Sequence, residues 1–102
     1  MDNNFIKERI RYYRLKNKYS ARNLSLEIGM CSEYINQVET GRLNPSLDFI
    51  MNFCDFFKIS LSEFFNENNK YPYETEKVAS LLNKLPENKI DLVLNLIKEL
   101  ST

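Results

Sequence analysis

The sequence contains no histidine and no tryptophan, and only two cysteines, two glycines and three prolines among its 102 residues. Without histidine there is no His-based general base and no His-containing triad, and Cys31 and Cys54 alone cannot build a four-ligand zinc site. No nucleophile–base pair, metal constellation or phosphate loop stands out elsewhere, so neither enzymatic activity nor a cofactor is expected. Two unpatterned cysteines fit a reduced, intracellular chain. No stretch approaches the roughly 20 apolar residues of a membrane span. Met1-Asp2-Asn3-Asn4 followed by Lys7-Glu8-Arg9 lacks the apolar core of a secretory signal, so a cytoplasmic protein with no membrane partner is expected. Scarce glycine and proline, beside abundant Leu, Ile, Lys and Glu, leave little punctuation for hairpins and point to an all-α fold.

What is present is unevenly distributed. The net charge is zero, yet residues 1–45 hold eight basic residues against five acidic, and residues 46–102 hold six against nine. A basic first half beside an acidic second half suggests an anionic partner for the first and a different task for the second.

Hydrophobic spacing divides the chain further. From Asn4 to about Asn17, Ile6, Ile10 and Tyr13 recur at helical intervals and predict an amphipathic helix. Ser20 can cap a second helix that Gly29 ends, since glycine enters the left-handed conformation without a side-chain penalty. Ser32 to Thr40, with Ile35 and Val38 three apart, reads as a third short helix closed by Gly41. Two short helices joined by a glycine turn form a helix-turn-helix pattern. Asn44-Pro45-Ser46 precedes a strongly apolar fourth helix carrying Leu47, Ile50, Phe53, Cys54 and Phe57, and Ser60-Leu61-Ser62-Glu63 has the spacing of a capping box for a fifth. The phenylalanines at 49, 53, 56, 57, 64 and 65 fall at helical spacing without convergent polar groups, as core residues do.

The first domain is thereby assigned to residues 1–65, a polar linker to 66–73 and a helical hairpin to 74–102. In that hairpin one helix runs from Glu74 to Leu85, and Pro86 opens another carrying Ile90, Val93, Leu94, Ile97 and Leu100, with Leu92 and Leu96 widening its apolar surface. Two such helices cannot bury so much apolar area alone. Dimerisation with a second copy through Ile90, Val93, Leu94, Ile97 and Leu100 is the expected solution.

The segment Ile10-Arg11-Tyr12-Tyr13-Arg14, then Ser20 through Gly29, then Ile35-Asn36-Gln37-Val38-Glu39-Thr40-Gly41, then Pro45-Ser46-Leu47 resembles the phage-repressor type of helix-turn-helix domain, the Cro/CI or XRE family, over roughly Phe5 to Phe65. The resemblance implies a five-helix domain that binds double-stranded DNA, as a homodimer and with no cofactor. It implies that Ser32, Glu33, Asn36 and Gln37 meet base edges in the major groove, where the amides of Asn36 and Gln37 suit adenine. It places Ser20, Arg22, Arg42 and Asn44 near phosphates. It also implies that Arg14 and Glu39 form a structural ion pair between the first and third helices. The chain departs from the family habit at Ala21, where a phosphate-anchoring Gln is common, and at Ser25, where Ala usually makes the tight helix contact. Cys31 stands where a capping Ser or Thr is usual. Glu33 would repel phosphates unless it accepts from cytosine N4.

The leading functional expectation is a dimeric, sequence-specific transcriptional regulator, a repressor by family habit. The rival, from a different class, is a protein-interaction module of the same fold, an antitoxin or anti-regulator whose hairpin docks a partner regulator or toxin.

Overall fold

The structure, a computed structural model, describes residues 3–101; Met1 and Asp2, which open the stretch read for a targeting signal, lie outside the described residues. Among the described residues there are seven helices and no strand: α1 Asn3–Lys16, α2 Ala21–Glu27, α3 Tyr34–Glu39, α4 Leu47–Phe57, α5 Leu61–Phe64, α6 Pro72–Leu82 and α7 Glu87–Leu100. The chain divides into two compact units, the first ending at Lys70 and the second beginning at Tyr71. No helix among the described residues is long and apolar enough to cross a membrane.

Capping explains where the helices of the first unit begin. The side chains of Ser20, Ser46 and Ser60 each accept a hydrogen bond from the backbone N–H three residues on, at 3.0, 3.1 and 3.0 Å. Each satisfies a donor that the first helical turn leaves without a partner. The hydroxyl of Ser60 also donates to the Glu63 carboxylate at 3.1 Å.

Four of these helices end by one device. After α2, Gly29 N–H bonds Leu26 O at 3.0 Å and Met30 N–H bonds Ser25 O at 2.8 Å; after α3, Gly41 N–H bonds Val38 O and Arg42 N–H bonds Gln37 O. These paired bonds are the Schellman closure, which needs a left-handed residue, and Gly29 and Gly41 supply it at φ +86° and +82°. The same closure follows α1 and α4, but there Lys18 (φ 61°) and Lys58 (φ 57°) take the glycine place. Their partners match: Lys18 N–H to Leu15 O and Tyr19 N–H to Arg14 O, then Lys58 N–H to Asp55 O and Ile59 N–H to Cys54 O.

The core of the first unit forms where the apolar stripes of α1 to α5 meet. Ile10, Leu24, Ile35, Val38, Phe53 and Phe64 are wholly inaccessible to solvent. Tyr13 and Phe53 join the aromatic part, with Phe53 4.9 Å from Phe57 and 5.8 Å from Phe64 between ring centroids. The phenylalanine run is therefore packing, at edge-to-face geometries that favour aromatic contact.

Arg9 differs from the other N-terminal cations. It is buried, with its guanidinium 4.6 Å from the Phe5 ring centroid and donating to Asn66 O at 2.8 Å and Asn69 O at 3.2 Å. A guanidinium carries five donors in a fork, enough to hold two carbonyls at once. The polar segment after Phe65 is consequently tied to α1 as far as Asn69.

In the second unit, α6 starts at Pro72, two residues earlier than Glu74, because proline is preset for the first helical position and the Thr75 hydroxyl and N–H both close on Tyr71 O. α6 gives way to a turn at 83–86, and α7 follows from Glu87. No residue of α7 is buried; Ile90 and Val93 are half-buried, while Leu92, Leu94, Leu96, Ile97 and Leu100 are exposed.

Candidate nucleic-acid interface

The candidate interface is built on α2, the turn at 28–33, and α3. The inner faces of both short helices carry Leu24, Ser25, Ile35 and Val38, all buried. Ser25 makes the closest join. Its hydroxyl donates to Ala21 O at 2.7 Å and accepts from Ile35 N–H at 3.0 Å. Ile35 is the second residue of α3, so its N–H has no partner within that helix. A side chain of α2 thus caps α3, and the polar departure at Ser25 is fully satisfied.

α3 is shorter than Ser32 to Thr40. Ser32 and Glu33 lie in the turn ahead of it, where Tyr34 N–H closes on Cys31 O at 3.1 Å and Glu33 makes no side-chain cap. The reason is that Ser25 and Cys31 O already serve the first donors of α3, which leaves the Ser32 and Glu33 side chains no capping task.

Glu33, Asn36 and Thr40 are exposed and Gln37 is half-buried; with spacings of three and four they form the outer face opposite Ile35 and Val38. Thr40, which sequence reasoning passed over, stands on this face, though its hydroxyl bonds back to Asn36 O at 2.8 Å. Ser32 is half-buried beside them. Tyr34 instead turns inward: its ring centroid lies 4.6 Å from that of Phe49, and burial pushes its phenol pKa up, with a hydrogen bond to the Ser46 backbone partly opposing.

Arg14 and Glu39 tie α1 to the end of α3. The pair is bidentate, Nε to Oε2 at 2.7 Å and NH2 to Oε1 at 2.8 Å, and Arg14 NH1 donates to Tyr19 O at 2.9 Å. Only 13% of the Arg14 side chain and 9% of the Glu39 side chain meet solvent. The hydrogen bonds to Glu39 hold the Arg14 guanidinium more firmly protonated than usual, against the cost of burial.

The four residues expected near phosphates are all exposed. Ser20 and Arg22 sit at the start of α2, and Arg42 and Asn44 in the loop after α3. Lys7 reaches Gly41 so closely that a Cβ there would lie 3.1 Å from its Nζ, which puts its ammonium beside the turn that follows α3. Arg9 and Arg14, in contrast, are engaged within the fold, and Lys16 lies over the Tyr12 ring at 5.6 Å. The basic excess of the first half is thus divided between structure and surface.

A family model described as helix-turn-helix matches residues 10–64 of the chain. No curated protein and no solved structure matches it.

Proposed function

Since the chain belongs to the helix-turn-helix family of the XRE, or Cro/CI, type, whose members are DNA-binding regulators, we propose that it is a sequence-specific transcriptional repressor acting as a homodimer on double-stranded DNA. The observation that supports this most is the outer face of α3. Asn36 and Gln37 stand there on a six-residue helix, with Glu33 just ahead of it, and the helix is fixed from behind by Ser25, Ile35 and the Arg14–Glu39 pair. Asn36 and Gln37 each offer a donor and an acceptor to adenine, and Ser32 and Glu33 reach base edges from the preceding turn. Glu33 accepts from cytosine N4 and rejects sequences lacking that donor. Ser20, Arg22, Arg42 and Asn44 hold the flanking phosphates, and these set register without reading sequence.

Dimerisation uses the second unit. Of the residues assigned to it, Leu94, Ile97 and Leu100 are exposed and Ile90 and Val93 half-buried. Two recognition helices would then enter successive major grooves roughly 34 Å apart.

Fluorescence anisotropy against DNA tiling the region upstream of its own gene, at two salt concentrations, tests the reading. We expect a preference of about a thousandfold for one fragment over random competitor. Arg22→Ala should weaken binding to all sequences alike, whereas Gln37→Ala should relax sequence preference. Absence of binding even at low salt would overturn the proposal and favour a protein-interaction module.

A further inference from the structure

The face of α1 that packs on α3 carries two cations with different fates. Arg14 is engaged by Glu39, the last residue of α3, at 2.7 Å. Lys7 stands two helical turns earlier on the same face, about 10 Å along the axis, with the wholly buried Ile10 between them. Its end reaches Gly41, two residues beyond Glu39: a Cβ at Gly41 would lie 3.1 Å from Nζ and 4.0 Å from Cδ. Any other side chain at that position would crowd the space this lysine fills. Lys7 is half-buried, so its stem holds the ammonium at a set place instead of letting it sweep through solvent.

That ammonium answers no charge within the fold. Among the described residues Lys7 makes neither a hydrogen bond nor an ion pair. The carboxylates that adjoin this contact in sequence are turned to other places: Glu8 lines a cavity with Phe5, Arg9 and Tyr12, and Glu39 is held by Arg14. The turn that Lys7 reaches is open to solvent at Thr40, Gly41 and Arg42, and Asn44 just beyond is exposed as well. A fixed, unpaired ammonium at an exposed turn suits an anion arriving from outside, and DNA presents phosphates at regular intervals.

We propose that Lys7 is a phosphate-holding residue of the DNA interface, reaching from α1 to the DNA strand that passes the turn after α3. The assignment rests on the DNA-binding reading above and adds a third element to it. Ser20 and Arg22 approach phosphates from α2, Arg42 and Asn44 from the loop after α3, and Lys7 from α1. The contact sets register without reading sequence, as phosphate contacts do.

Lys7→Met, which keeps the apolar stem and removes the charge, tests it in the full chain, with Lys7→Arg as the conservative variant and thermal melts of each. Fluorescence anisotropy is read across a salt series, against the fragment the wild type prefers and against random duplex. Lys7→Met should weaken both by about fivefold at low salt. It should also lower the slope of log affinity against log salt by about one per bound protomer, with the melting temperature unchanged. Lys7→Arg should keep the wild-type slope. An unchanged slope in Lys7→Met while the wild type still binds would overturn the assignment of Lys7 alone, and a lowered melting temperature beside that unchanged slope would make this lysine a support for the end of α3. A wild type that binds no DNA even at low salt would overturn the DNA-binding reading itself, and this contact with it.

Discussion

The hydroxyl of Ser25 accepts the N–H of Ile35 at 3.0 Å, so one side chain of α2 holds the first turn of α3. Ser25→Ala removes that acceptor and leaves a buried donor without a partner, a loss of about 1–3 kcal/mol. We expect a lower melting temperature, together with weaker DNA binding as the start of α3 loosens. Equal melts for the two proteins would show that the join contributes nothing.

Glu39→Ala leaves the Arg14 guanidinium nearly enclosed, with Tyr19 O as its remaining acceptor among the described residues. Removing one partner of such a pair costs about 3–5 kcal/mol. Chemical denaturation should register that loss before any effect on DNA binding is interpreted. Unchanged stability would remove the structural role of the pair.

Lys18 and Lys58 occupy left-handed positions that glycine takes without steric cost. Lys58→Gly and Lys18→Gly should each stabilise the protein by about 0.5–1 kcal/mol, since the relief of strain exceeds the entropy glycine adds to the unfolded chain. Thermal melts of the two variants and their combination would test both the sign and the additivity.

The two cysteines should behave oppositely. Cys31 is exposed and Cys54 buried, with burial pushing the Cys54 thiol up to about 11 from an ordinary value of 9.0. A thiol reagent should modify one cysteine in the native protein and both in denaturant. Because the fold keeps the Cys54 proton more tightly than the unfolded chain does, its contribution to stability is complete below about pH 9 and disappears as the pH rises towards 11. The urea midpoint should fall across that window, and less steeply in Cys54→Ala.

Much of this architecture is legible in the sequence because its signals are local. Ser20, Ser46 and Ser60 announce helix starts, Gly29 and Gly41 announce ends, and apolar spacing marks Ile10, Ile35, Val38 and Phe53, all of which lie inside. What escapes is decided by tertiary context. Lysines at 18 and 58 perform a glycine's task with no composition to mark it, and Arg9 reads as a surface cation until Asn66 and Asn69 return to meet it. The shorter α3 is hidden for the same reason. Its cap comes from Ser25, ten residues upstream, and no local pattern records that. At the candidate interface, residue types indicate Asn36 and Gln37, while the inward turn of Tyr34 and the approach of Lys7 to Gly41 depend on Phe49 and on α1.

The division of α3 into an anchored back and an outward front has an evolutionary corollary. Ile35 and Val38 in the core and Glu39 on Arg14 fix the helix, while Glu33, Asn36 and Gln37 supply no side-chain bond to hold it among the described residues. Substitutions at such positions ordinarily change stability by no more than about 0.5 kcal/mol. On the proposed reading, in which these three side chains meet base edges, the target sequence can therefore drift, or be reprogrammed at the bench, through three interchangeable letters without renegotiating the fold that carries them.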